Sequence, residues 1–421
     1  MSSASSKFAF FRQSGWMVTA VTTSGLFMYA VHIPSVAMMP PNEYAVFATL
    51  LQVLNLVLIP GVSLQTVFTQ QTAATQTEAE RRSLTGAVRA LFKWMFILWL
   101  VVAGSGFLAQ RWVTETLRIA NPAALWITLL ACLPALWMPI VQGLLQGGQN
   151  FVWLGWTAIL SGFGRFVTVL VTVVALQGYA AAGMVGPLLG MLAALLVGLW
   201  QTPQIWGGQS QTFEWRPWLS RVVPLTLGLA TGQIMFAADM IIVQSIFPSD
   251  TGMYAATGAI ARGIVVFAGP VAMVMFPKTV QSTTAREQTR LLWHALLATT
   301  ALAGAAALGC TLFSELPYRI MKPAYLPIAP LLPWFAWCMI PLTLAVVLIN
   351  YLLARSRFEA VPWLLLVALT YPAGLGWVAG TFQTGDTLRD FLTIVQTLGG
   401  FNVVLLVTAA WFTWRTHRVV P

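Results

Sequence analysis

Charge is scarce in this sequence. Lys, Arg, Asp and Glu together make up 8% of 421 residues, whereas a soluble domain carries about 25%. That shortage excludes a single water-exposed globule. Cysteine is nearly absent as well. Cys132, Cys310 and Cys338 each fall inside an apolar run and have no ligand spacing. They exclude a disulfide framework and a metal cluster, and read as small core residues. The three histidines, His32, His294 and His417, are scattered. No Ser/His/Asp set or metal site assembles from them, and no cofactor is expected.

Apolar residues fill the space that charge leaves. They make up 58% of the chain, and the mean hydropathy is +0.77. This is the composition of a bundle of membrane spans of roughly 20 residues each. The apolar runs predict twelve helices, over 14–34, 43–68, 89–109, 122–145, 152–177, 180–201, 221–246, 253–276, 291–313, 331–353, 361–380 and 390–414. Only Gln177-Gly-Tyr179 separates the fifth from the sixth. The first run is too long for a cleaved signal and reads as a permanent span.

The net charge of +10 does not point to nucleic acid, because the basic residues form no dense patch. They sit in short loops between the spans. With a cytoplasmic N-terminus, fifteen Lys and Arg fall inside and five outside; Arg165 and Arg262 are left within spans. That bias predicts a multi-pass protein with both termini in the cytoplasm. The outside loops are too short to hold a soluble catalytic domain, so the chain does not read as an enzyme.

Sliding the sequence on itself by 208 residues aligns two separate regions. It pairs Ala48 with Ala256, Gly61 with Gly269 and Trp126 with Trp334, and sets Gln142 opposite Asn350. A single shift of half the chain length predicts a parallel repeat. The expected fold is an all-α integral membrane protein of about twelve helices. Its two six-helix lobes, 1–202 and 221–421, are related by a pseudo-two-fold axis along the membrane normal. A Trp-bearing cytoplasmic linker, 203–220, joins them.

Charge and helix breaks at membrane depth are costly unless they face protein or water. Arg165, in Ser161-Gly-Phe-Gly-Arg165, reads either as a snorkelling arginine or as a cation facing a cavity that receives an anion. Asp239 and Arg262 lie on neighbouring spans. They read either as a structural ion pair or as a switch, with Asp239 binding H+ or Na+ while Arg262 holds phosphate. The shift of 208 sets uncharged Val31 and Leu54 opposite them. Most intrahelical prolines are ordinary kinks. Pro60-Gly61 and Gly269-Pro270 match across the repeat and are the candidate hinges.

Several of these segments resemble a known family. They are Arg216-Pro-Trp-Leu-Ser-Arg-Val-Val-Pro224, Asp239-Met-Ile-Ile-Val243, Asp250-Thr-Gly-Met-Tyr254-Ala-Ala and Phe276-Pro277 in the second half. In the first half they are Pro41-Asn-Glu-Tyr44 and Leu144-Leu-Gln-Gly-Gly-Gln-Asn-Phe151. Together they resemble the Wzx-type polysaccharide flippases of the multidrug/oligosaccharidyl-lipid/polysaccharide exporter superfamily. The resemblance implies two lobes around a central cavity and alternating access. It implies a cargo of undecaprenyl-diphosphate-linked oligosaccharide, carried to the outer leaflet of a bacterial inner membrane for surface polysaccharide synthesis. Membrane lipids, glycosyltransferases and a glycan polymerase are the partners it implies. The chain departs from that pattern in having few intramembrane charges in its first half. Two other readings stand beside this one: a drug or metabolite antiporter of the same superfamily, and a membrane-embedded glycan polymerase or ligase.

Overall fold

The computed structural model describes residues 3–211, 215–265, 285–380 and 387–415. Every regular element among them is helical. Among the described residues, eleven helices are long and apolar enough to cross a membrane. A further helix runs from 251 to 265, the last described residue of that stretch. Gly269 and Pro270 lie outside the described residues.

In chain order the helices are α1 (Ser3–Ala30), α2 (His32–Met38), α3 (Pro41–Val57), α4 (Ile59–Ala74), α5 (Glu78–Leu108), α6 (Gln110–Thr116), α7 (Ala123–Gly147), α8 (Phe151–Val169) and α9 (Ala180–Trp200). They continue as α10 (Pro203–Gly207), α11 (Trp215–Ile246), α12 (251–265), α13 (Ala285–Leu312), α14 (Leu316–Met321), α15 (Leu331–Ala354), α16 (Val361–Ala379) and α17 (Thr387–Arg415). The repeat is visible in this order where both helix starts are described. α6 and α14 begin at Gln110 and Leu316, α7 and α15 at Ala123 and Leu331, and α8 and α16 at Phe151 and Val361.

Local chemistry sets several boundaries. The predicted third span begins near 89, but α5 starts at Glu78. Thr77 explains the extra turns. Its hydroxyl accepts from the Glu80 amide at 3.3 Å, and the Glu80 carboxylate accepts from the Thr77 amide at 2.9 Å. This reciprocal cap satisfies two orphan donors, and Glu78 and Glu80 suit the positive end of the helix. The predicted second span divides at Leu58, where α4 restarts with Pro60 in its first turn. The turn between the fifth and sixth spans lies at 177–179, as the sequence predicts. There α8 passes into a π-helix over Leu170–Ala175, and Gln177 takes a left-handed φ of 51°.

The chain packs as two compact units. Unit 1 is Met1–Met39 with Val57–Val223; unit 2 is Pro40–Leu56 with Pro224–Pro421. By this packing criterion α3 groups with unit 2, and residues 203–223 group with unit 1. The expected lobes of 1–202 and 221–421 rest on span order, a different criterion.

In unit 1, Phe68, Val88, Ile140, Val141 and Ala194 are buried together. α7 lies close on α4 because Gly143 and Gly147 bring no side chain. A methyl at Gly143 would sit 2.7 Å from the Gln65 carbonyl oxygen, and one at Gly147 2.5 Å from that of Thr69. Packing through small residues four apart is how helices associate in lipid, where water supplies no driving force. In unit 2, all six tyrosines, at 44, 254, 318, 325, 351 and 371, are buried.

The 203–211 segment is fastened to α5. Arg89 donates to the carbonyls of Ile205 (3.2 Å) and Gly208 (2.9 Å), and also to that of Trp206. The Gln211 amide donates to the Arg82 carbonyl at 3.1 Å. Trp206 stands edge-on to Phe92, and Trp215 to Trp94. One guanidinium therefore satisfies three carbonyls that no helix uses. Arg89→Ala is expected to cost about 1–3 kcal/mol and to speed amide hydrogen exchange across 205–211, leaving α7 unchanged. Equal exchange in mutant and wild type would show that the segment is held by its tryptophans alone.

Candidate functional site

Two charged centres lie within spans, one in each unit. The centre in unit 2 joins α11 and α12. Helical spacing sets Phe236 and Asp239 on one face of α11, and Tyr254, Gly258 and Arg262 on one face of α12. Asp239 Oδ2 accepts from the Tyr254 hydroxyl at 2.7 Å and from Arg262 Nη2. Arg262 Nε donates to the Phe236 carbonyl at 3.0 Å. The guanidinium carbon lies 5.8 Å from the Phe236 ring centroid and 5.4 Å from that of Phe335. Gly258 clears its path, since any methyl there would strike Nη1.

Asp239 is 0% exposed and Arg262 2%. Taking two such ions out of water costs several kcal/mol each. Their attraction, the two further hydrogen bonds and the ring contacts offset that cost. One atom is left over, for Asp239 Oδ1 has no hydrogen-bond partner among the described residues. The carboxylate is thus saturated on one oxygen and open on the other.

The centre in unit 1 is Arg165 on α8. It is 9% exposed, and its Nε has no hydrogen-bond partner among the described residues. No ion pair to it exists among them either. The sequence gives the reason. The acidic residues of unit 1 are Glu78, Glu80, Glu115 and Glu214, and none falls in the interior of a span. Its backbone is walled by α9, where methyls at Gly186 and Gly190 would sit 2.8 and 2.7 Å from the Arg165 carbonyl oxygen and amide nitrogen. The guanidinium interacts electrostatically with Tyr29 of α1.

The residues singled out in the sequence thus separate. Asp239 and Arg262 meet directly; Arg165 belongs to the other unit. Pro60 and Gly61 stand where α3 gives way to α4, and Gly61 lies against Pro139 of α7. Sequence reasoning missed Tyr254, Phe236 and Phe335. The spacing of 254, 258 and 262 carries the signal for the first. No group of three His, Cys, Asp or Glu able to hold a metal occurs among the described residues.

Apolar spans with charge held inside them are the build of a polytopic membrane protein. Solved structures place the fold more closely. The chain superposes on the inward-facing conformation of a multidrug resistance MATE family transporter of the MOP superfamily with a TM-score of 0.74 at 12% identity, covering 94% of this chain and 95% of the other. It superposes on the lipid II flippase MurJ in an inward closed conformation with a TM-score of 0.66 at 14% identity, covering 94% and 87%. For the Vibrio cholerae MATE transporter VcmN the values are 0.68 and 12%, covering 97% and 96%. The fold is that of the MOP transporters. No family model and no curated protein sequence matches the chain.

The pair in unit 2 makes a thermodynamic prediction. Removing one partner of a buried pair leaves an uncompensated charge, at about 3–5 kcal/mol. Arg262→Ala should therefore be strongly destabilised in detergent, and the double variant Asp239→Asn/Arg262→Gln much less so. Additive losses across that cycle would show that the two charges do not act as a pair.

Proposed function

We propose that this protein is a flippase for an anionic lipid-linked oligosaccharide, moving a diphosphate-sugar headgroup across the bilayer by alternating access. The observation that carries this reading is Arg165. A buried guanidinium with no acidic residue in any span of its own unit calls for an anion from outside the chain. A phosphate oxygen pairs with guanidinium in the strong, charge-assisted manner, and its ester tail can stay in lipid. Charge at the bilayer centre is otherwise heavily penalised. The MOP fold includes a lipid II flippase, which supports the class of cargo.

In this reading both termini are cytoplasmic, as the basic loops favour. Lobes 1–202 and 221–421 move about the 203–220 segment, with flexure at Pro60-Gly61. Asp239 is the coupling group, and its open Oδ1 takes the proton or Na+. Once the carboxylate is neutralised, Arg262 loses its counter-charge within unit 2. The membrane potential, worth about 2.3 kcal/mol per charge per 100 mV, adds to the drive. Glycosyltransferases and a glycan polymerase would supply and consume the cargo.

The drug antiporter is the second reading, favoured by the MATE structures and by the buried acid Asp239. It requires a carboxylate to meet a cationic drug, and the spans of unit 1 contain none. Proteoliposomes loaded with a fluorescent lipid-diphosphate-sugar decide between the two. Arg165→Ala is expected to abolish translocation while inserting normally, and Arg165→Lys to retain a fraction, since Lys lacks the bidentate fork. Full translocation by Arg165→Ala, or Asp239-dependent efflux of a cationic dye, would reject the flippase reading.

A further inference from the structure

We propose that the buried tyrosines Tyr325 and Tyr44 carry a proton from the nearer membrane surface to Asp239. The proposal rests on the reading of Asp239 as the coupling group and concerns how the proton reaches it.

The geometry starts with where the ion pair sits. Asp239 is seven residues from the end of α11 at Ile246, or roughly 10 Å at the helical rise of 1.5 Å per residue. α12 begins at 251, so Tyr254 lies in its first turn, and Tyr44 lies in the first turn of α3. These three helix ends gather at one end of unit 2. Gly252 links them, because a methyl there would meet both the Pro41 carbonyl oxygen (2.5 Å) and the Tyr325 hydroxyl (3.0 Å). The connection 316–328 closes over this end. Tyr318 bonds the Thr257 hydroxyl at 2.7 Å, and the Lys322 ammonium lies 5.4 Å from the Tyr325 ring centroid.

Tyr325 and Tyr371 are anomalies, buried with hydroxyls that have no hydrogen-bond partner among the described residues, and of the two Tyr325, 3% exposed, lies in the connection 316–328. Burying a hydroxyl unpaired forfeits its bonds to water. Phenylalanine would fill the same volume without that cost, so packing alone does not account for the oxygen. Burial pushes this phenol up to about 12, which keeps it a neutral hydroxyl that can accept one proton and give up another. Tyr44, fully buried, interacts electrostatically with both Tyr325 and Arg262.

The transfer balances simply. Hydronium at the surface donates to the Tyr325 oxygen. The hydroxyl proton of Tyr325 passes to Tyr44, water completing the steps, and that of Tyr44 passes to Asp239 Oδ1. Each tyrosine ends with one proton, and only the carboxylate changes charge. The ionisable groups around Asp239 are Arg262 and Tyr254 on α12 and Tyr371 on α16, with Tyr44 on α3 beyond Arg262. α15 contributes the Phe335 ring. α17 contributes Phe391, beside the largely buried Asp390.

Time-resolved infrared spectroscopy of the full chain in proteoliposomes tests this. A drop in pH at the face bearing 316–328 should raise a protonated-carboxyl band that Asp239→Asn lacks. Tyr325→Phe and Tyr44→Phe should slow its rise about tenfold or more and leave its final amplitude unchanged. Tyr325→Phe should also melt no lower than wild type, which separates a transfer role from a structural one. Wild-type rates in both tyrosine variants, or a faster rise when the drop is applied at the opposite face, would overturn the route and leave Asp239 in place as coupling group. A band that persists in Asp239→Asn would remove the coupling reading itself.

Discussion

Water stabilises an ion far better than hydrocarbon or packed side chains do, and that difference governs this molecule. It is why only 8% of the residues are charged, and why each charge inside a span calls for an explanation. Unit 2 meets the constraint internally. Asp239 and Arg262 neutralise each other, and a hydroxyl, a carbonyl and two aromatic faces take most of the remaining demand. Unit 1 does not meet it. Arg165 is enclosed to the same order and has no carboxylate in its spans to meet. One unit balances its buried charges against each other; the other buries a guanidinium with no ion pair among the described residues.

The packing around both centres follows from the same constraint. Helices in lipid gain little from burying leucine against leucine, so they close on small residues and on satisfied polar groups. Gly186 and Gly190 let α9 lie on the backbone of Arg165. Gly258 leaves room for the Arg262 side chain to run back along its own helix. At the other end of the scale, Arg89 turns its Nε and Nη2 donors to backbone carbonyls of 205–208. That is a structural use of the same residue type, at a depth where water is within reach.

Much of this was legible in the chain because the bilayer leaves few options. Apolar runs of span length must be helices, so the spans fall close to their predicted limits, including the weak turn at Gln177-Gly-Tyr179. The misjudged edges are the starts of α1, α5 and α11, at Ser3, Glu78 and Trp215 against the predicted 14, 89 and 221, and the cause is on view at α5. Hydropathy registers lipid, and the capping box at Thr77 and Glu80 extends the helix beyond the apolar run. The pairing of Asp239 with Arg262 was readable from their positions on adjacent spans. What closes that pair was not. Phe335 lies 73 residues beyond Arg262 in sequence, and no local pattern brings its ring under the guanidinium. The open Oδ1 and the unpaired Tyr325 hydroxyl are likewise properties of packing in three dimensions.

The repeat sharpens the distinction between structure and function. Helix starts recur at offsets of 206 to 210 residues, from α6 and α14 (110 and 316) through α7 and α15 (123 and 331) to α8 and α16 (151 and 361). A device that holds the fold together would be expected to recur with them. The intramembrane charges do not. At a shift of 208, Asp239 falls on Val31, Arg262 on Leu54 and Arg165 on Ala373. Each half-chain keeps its helical frame while carrying a charge its counterpart lacks: an unpaired cation in one, a titratable pair in the other. A symmetric frame with asymmetric charge suits a cycle in which one half takes hold of an anion and the other changes protonation. Two identical halves would have no such division of labour.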